Sequence, residues 1–198
     1  MRLRRKLCQL LLLLLALTLV GTASCSKGGG SPTDPGGPPA GGQQRVLTVP
    51  LVAQQTPVWC WAAVSEMIFR YYGRGATQCQ ILSGWYQADC CTFSQFCLTT
   101  APIPVIQQTL QAFGGLRSVA FPGPISLQAV QNEINAGRPI IVAYRGSMAG
   151  HVVVLYGYDA AGNVYIRDPL FGSFVVPYGA SFTYHGQLFW SDTIYGIG

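Results

Sequence analysis

Charge is scarce in this sequence. Only 10% of its 198 residues are Asp, Glu, Lys or Arg against 49% hydrophobic, a balance that excludes a solvated disordered chain and a charge-laced coiled coil. Four of the twelve positive residues, Arg2, Arg4, Arg5 and Lys6, sit ahead of a leucine run; from Cys25 onward Lys27 and seven Arg face seven acidic residues. A near-neutral remainder offers no electrostatic case for nucleic acid or for an anionic membrane surface as partner. Long apolar runs are missing too. Leu10 to Val20, broken only by Thr18, spans about 16 Å as a helix, short of the roughly 20 residues a bilayer core requires. No C-x2-C pair marks a zinc site, no internal repeat is visible, and the length suits one domain with attached segments.

What is present begins with an address. Basic residues 1–6, the apolar run and the small residues Gly21-Thr22-Ala23-Ser24-Cys25 read as a secretory signal over residues 1–24. The segment ending in Cys25 resembles a bacterial lipobox, which implies an N-terminal cysteine carrying lipid and thus a membrane-anchored, exported protein, at the outer membrane if the source is Gram-negative. Acyl chains contribute about 0.8 kcal/mol per buried methylene, so several on one cysteine hold firmly. Residues 26–42, SKGGGSPTDPGGPPAGG, have no large apolar side chain; with Cys25 they form a tether. The expected folded unit is 43–198.

That unit holds five cysteines: Cys60, Cys79, Cys90, Cys91 and Cys97. In an oxidising compartment the four within 79–97 can pair and leave Cys60 alone. Adjacent Cys90 and Cys91 rarely bridge each other, so the candidates are 79–90 with 91–97, or 79–91 with 90–97. A metal site is the competing use of the cluster, but the ligand spacing is wrong for it.

The odd cysteine lies in QQTPVWCWAAVSEMIFRYYG, residues 54–73. Trp61, Val64, Ile68 and Tyr71 recur at helical spacing, Thr56-Pro57 supplies start signals and Gly73 a stop. Cys60 then falls in the first turn, where unpaired backbone N–H groups and the helix dipole favour a thiolate. A base is needed, and the unit has two histidines. His151 opens the buried strand pattern GHVVVLYGYD, whereas His185 sits in the turn-like YHG. After a turn at 159–162, VYIR returns to Asp168-Pro169, 17 residues beyond His151, a length that brings Asp168 back beside the imidazole. Such a carboxylate orients the base. An Asp before Pro equally serves to cap a turn, and spacing does not separate the two.

QQTPVWCWAA, GRPIIVAY, GHVVVLYGYD and VYIRDP, in this order over about residues 46–178, resemble the papain-like cysteine peptidases, in particular compact bacterial branches such as the staphopain-like, C39-like and AvrRpt2-like groups. The resemblance implies Cys60 as nucleophile, His151 as general base and acid, Asp168 as orienter, Gln54 as side-chain donor in the oxyanion hole with Gln55 as its neighbour, and no cofactor or metal. Asp168 stands where papain itself has Asn, and no tryptophan closely follows it to shield its contact with His151.

Helices are expected near 57–72, 104–113 and 126–136, and strands near 139–145, 151–158, 163–168 and 173–177 with a further strand at the C-terminus. Helices first and antiparallel strands second predict an α+β, papain-like two-lobed fold, the nucleophile on the helical lobe and His151 with Asp168 on the sheet. The expected function is an exported thiol endopeptidase acting on protein or peptide. The same equipment serves acyl transfer or deamidation, and a silent surface binding module is the third reading.

Overall fold

The computed structural model describes residues 43–198. The expected signal at 1–24, Cys25 and the tether of residues 25–42 lie outside them. The chain enters through a short strand, β1 (Arg45–Val46), and then forms helix α1 (Cys60–Tyr71). Every residue of α1 from Cys60 to Phe69 is buried, so it is a core helix covered all round and not an amphipathic surface one. It starts at Cys60 rather than at residue 57 because Thr56 and Pro57 belong to a turn, in which the Trp59 N–H donates to the Thr56 carbonyl at 3.3 Å. Gly73 follows at φ 67°, the left-handed geometry that ends helices at little cost for glycine.

Helix α2 (Gln78–Tyr86) was not among the expected helices. A capping box between Thr77 and Gln80 opens it, and the buried Glu66 of α1 accepts from its Gln78 N–H at 3.0 Å. Helix α3 (Ile103–Gly114) carries Pro104 in its first turn, and α4 (Leu127–Asn135) is capped by Ser126, whose hydroxyl accepts from Ala129 N–H. Both match their expected positions to within a residue.

Between them lies β2 (Val119–Pro122), and the sheet continues with β3 (Ile140–Arg145), β4 (Gly150–Tyr158), β5 (Asn163–Asp168), β6 (Gly172–Pro177), β7 (Thr183–Tyr184) and β8 (Leu188–Tyr195). The order is β2-β8-β3-β4-β5-β6, with β7 paired to β8 and β1 to β4, all antiparallel. Strand β4 is buried from His151 to Tyr158, as an uninterrupted apolar run requires, because α1 and α4 both pack on it. β3 begins with Ile140 opposite Leu155, and beyond that point β1 takes over the same edge of β4, pairing Val46 with Gly157. A Cβ at 157 would lie 3.0 Å from the Arg45 carbonyl oxygen, so this close approach needs glycine.

The architecture is the expected α+β fold with a helical N-terminal part (α1–α3) and an antiparallel sheet. Two features refine the two-lobed expectation: β1 crosses into the sheet, and α4 packs on β1, β3 and β4.

Candidate active site

Cys60 is the first residue of α1, so its backbone N–H has no acceptor within the helix. No side chain caps this end, and the first turn holds no acidic residue; the positive pole of α1 is left bare at the sulfur. Cys60 is the one free cysteine among the described residues, and it is 9% exposed. The other four form Cys79–Cys91 and Cys90–Cys97 bridges, the second of the two pairings open from sequence, and they are thereby unavailable to a metal.

His151 is the second residue of β4 and is directly opposite Tyr144 of β3. Its Nε2 is 2.9 Å from Oδ1 of Asp168, the last residue of β5. The β4–β5 turn that returns the chain is built by Asp159, whose Oδ1 accepts from the N–H groups of Ala161 and Asn163. Asp168 is fully buried, and each of its oxygens is used. Oδ1 also accepts from Leu170 N–H at 2.7 Å and Phe171 N–H at 3.2 Å, and Oδ2 accepts from the Tyr184 hydroxyl at 2.7 Å. One carboxylate thus bonds the imidazole and caps the turn after Pro169 at the same time.

These contacts set the electrostatics. Burial works against a charged His151, but hydrogen bonding to Asp168 and to Cys60, with the attraction of both groups, more than offsets it and raises its pKa to about 9. Burial likewise opposes the Asp168 carboxylate, yet its bonds to His151, Tyr184 and Leu170 hold it below the ordinary carboxylate value. With Nε2 on Asp168, the imidazole has Nδ1 left for the thiol. An imidazole with these properties can hold a proton for a leaving amine.

Tyr184 was missed from sequence. Its ring lies against His151 with centroids 4.9 Å apart and stacks on Tyr144 at 5.2 Å. It covers the His151–Asp168 contact, the position for which no nearby tryptophan was found. Being on the two-residue β7, 16 residues after Asp168, it carries no local pattern; the signal available was the hairpin turn that follows it. His185 and Gly186 take positive φ there, which leaves His185 exposed and not opposite the thiol.

Gln54 is half-buried. Its backbone N–H donates to the Pro169 carbonyl at 2.9 Å, tying it to the Asp168 corner, and its Nε2 donates to the Thr56 carbonyl at 2.9 Å. One amide hydrogen therefore stays free. Gln55 is exposed and uses only its backbone N–H, toward Gln78.

A cleft of about 630 Å³ separates α1 from the sheet. Cys60 and Trp61 line one side, Tyr144 and His151 the other, with the Arg145–Gly150 turn and the strip Thr100–Ile103 at its borders. The chain leading into the strip is tied to the start of α1: the indole N–H of Trp59, just ahead of the helix, donates to the Cys97 carbonyl at 2.9 Å, and the Trp61 indole N–H to that of Thr99 at 3.0 Å.

A family model described as the Peptidase_C39 like family matches residues 46–178. Solved structures agree on the fold. A Bacillus anthracis protein described as a C39-like peptidase superposes with a TM-score of 0.54 at 18% identity, covering 77% of this chain and 97% of that one. The peptidase domain of Streptococcus ComA, a bifunctional ABC transporter of quorum sensing, gives 0.54 at 14% identity over 74% and 98%. A double-glycine motif protease from an AMS/PCAT transporter, solved with its leader peptide, gives 0.50 at 18% over 77% and 96%. No curated protein shows significant similarity to the sequence.

Proposed function

The chain belongs to the Peptidase_C39 like family of papain-like cysteine peptidases, and from that membership we propose an exported thiol endopeptidase working through Cys60, His151, Asp168 and Gln54. The observation that carries the assignment of residues is the His151–Asp168 pair set across the cleft from a free cysteine at a helix N-terminus. The Cys60 thiolate adds to the carbonyl carbon of a peptide in the cleft. Negative charge develops on the carbonyl oxygen, where the Cys60 backbone N–H and the free amide hydrogen of Gln54 receive it. His151, protonated by the thiol and held by Asp168, gives its proton to the leaving amine, then takes one from the water that hydrolyses the thioester.

The substrate is a protein or peptide. Export follows from the signal-like residues 1–24, and attachment to a membrane from lipid on Cys25, as the composition of those segments suggests. The decisive experiment is incubation of the purified protein with an unselective protein substrate, followed by peptide mapping with and without an epoxide thiol inhibitor. New termini that disappear with the inhibitor support the peptidase; mass changes without new termini mean acyl transfer or deamidation instead. Mass spectrometry of the membrane fraction tests the lipid, since an unmodified, freely secreted Cys25 removes the anchor from the proposal.

A further inference from the structure

Arg145 is the last residue of β3 and lines the catalytic cleft. Cys60 and His151 apart, it is the one ionised side chain on the cleft walls, and no carboxylate lines them. The Tyr144 phenol stays neutral, because burial and the Asp168 charge both raise its pKa. Asp168 itself is fully buried, with both oxygens bonded. The Arg145 side chain is 67% exposed, and its ionic partner among the described residues, Asp192, is 3.8 Å away, too far for a hydrogen bond. The backbone that carries it is fixed from both sides. Arg145 is opposite Gly150 of β4 and Phe189 of β8, and the turn beyond it is closed by the Gly146 N–H donating to the Ala149 carbonyl at 2.8 Å. Gly150 has no side chain, so the flank of Arg145 toward β4 is open. A guanidinium is a planar fork of donors that matches the two oxygens of a carboxylate.

Resting on the peptidase reading of the cleft, we propose that Arg145 is a specificity residue that selects an Asp or Glu side chain of the peptide substrate close to the scissile bond. One strand step, about 3.3 Å, separates the Arg145 and Gly150 pair from the Tyr144 and His151 pair. The arginine side chain spans the remaining distance, which places the selected residue within about two positions of the cut. A carboxylate arriving there meets no like charge on the cleft walls, and apolar surroundings screen the ion pair less than open water does. Asp192 is the internal competitor. Its separation from the guanidinium leaves the closer, bidentate geometry to the substrate.

The test uses synthetic peptides that carry Glu, Gln or Lys at one position, moved stepwise around the cut, each with a free and an amidated C-terminus. The wild type should favour Glu over Gln about 5- to 20-fold in kcat/KM at one fixed position, with Lys poorest. Arg145→Gln should bring the Glu to Gln ratio close to one, Arg145→Glu should reverse the order of Glu and Lys, and Arg145→Lys should keep part of the preference. Near-UV circular dichroism checks the fold of each variant. Asp192→Asn removes the competitor and should strengthen the preference, and added salt should weaken it in the wild type but not in Arg145→Gln. Binding of the same peptides to the Cys60→Ala variant, with and without Arg145→Gln, gives a readout free of catalysis. An equal Glu to Gln ratio in wild type and Arg145→Gln overturns the specificity residue and leaves the peptidase standing. A preference confined to peptides with a free C-terminus overturns the side-chain assignment in favour of the terminal carboxylate. Arg145-dependent binding of Glu peptides without cleavage by the wild type keeps the carboxylate site and removes the peptidase. Neither cleavage nor discrimination overturns both.

Discussion

Tyr184 donates its phenolic proton to Oδ2 of Asp168, the oxygen that His151 leaves free. One carboxylate thus joins a strand end, a hairpin and the imidazole, and the burial of all three (Asp168 0%, Tyr184 8%, His151 8% exposed) keeps water from competing for these bonds. The Tyr184 hydroxyl itself is held protonated, its pKa raised first by burial and then by the bond to Asp168.

Tyr184→Phe keeps the ring over His151 and removes only that donor. A hydrogen bond to a charged group contributes about 1.5–3 kcal/mol, and this loss should appear in denaturant unfolding at pH 7. Because Asp168 has a lowered pKa when folded, its bonds stabilise the fold above the unfolded value near 3.9, and that stabilisation is lost as pH falls through the folded value. The gap between variant and wild type should therefore shrink in acid. Equal stability at pH 7 would show the bond to be without weight.

Asp168→Asn keeps an acceptor for His151 but loses the charge. The His151 pKa, about 9 in the wild type, should fall, moving the alkaline limb of activity to lower pH with partial activity retained. Asp168→Ala also frees Leu170 and Phe171 N–H groups and should lose far more. The sign for stability is opposite to that of Asp168: a raised histidine pKa stabilises below about 6.5 and the effect disappears as pH rises through 9. Activity and unfolding against pH on folded variants check both; unchanged profiles would reduce Asp168 to a turn residue.

Cys60→Ala should abolish turnover and leave the fold intact, since the substitution removes one sulfur atom from a side chain at the cleft wall. The measurement is hydrolysis alongside thermal unfolding. Retained hydrolysis sinks the mechanism.

Gln54→Ala should lower kcat about 100- to 1000-fold, the effect of one lost oxyanion donor, whereas Gln55→Ala should be silent because only the Gln55 backbone is engaged. Alkylation of Cys60 by a small reagent should proceed in both. Damage from Gln55 and not from Gln54 would shift the oxyanion hole by one residue.

Paired cysteine replacements test the bridges. Exchanging Cys79 with Cys91 for serine leaves Cys90–Cys97 closed and adds no free thiol to the unfolded, unreduced protein, whereas exchanging Cys79 with Cys90 strands Cys91 and Cys97 and adds two. Full reduction should cost about 2–5 kcal/mol.

Much of the site was legible because its parts are local patterns. Cys60 stands in a helix whose spacing and boundaries are written in residues 56–73, and His151 with Asp168 are joined by a hairpin whose Asp159-to-Gly162 turn has a recognisable composition. Tyr184 was not, since its contact with Asp168 depends on β6, a 3-10 turn over Tyr178–Phe182 and β7 stacking to the right height. Helix α2 was hidden by Cys79 and by Gly84. That glycine is explained only in three dimensions, where the Phe113 ring lies 2.6 Å from the place of a Cβ. The Thr77 and Gln80 capping box was the signal that could have revealed it. Strand β2 is exposed along its length and shows no alternation to read.

Both bridges lie between residues 79 and 97 and no strand contributes a half-cystine. Oxidation therefore acts on the segment that leads into the Thr100–Ile103 border of the cleft and not on the sheet that carries His151 and Asp168. An electron acceptor must take four electrons, two for each bridge, before residues 79–97 are covalently cross-linked. A chain that still holds those electrons lacks cross-links only in the stretch ahead of α3, and is missing none in the strands that carry His151 and Asp168.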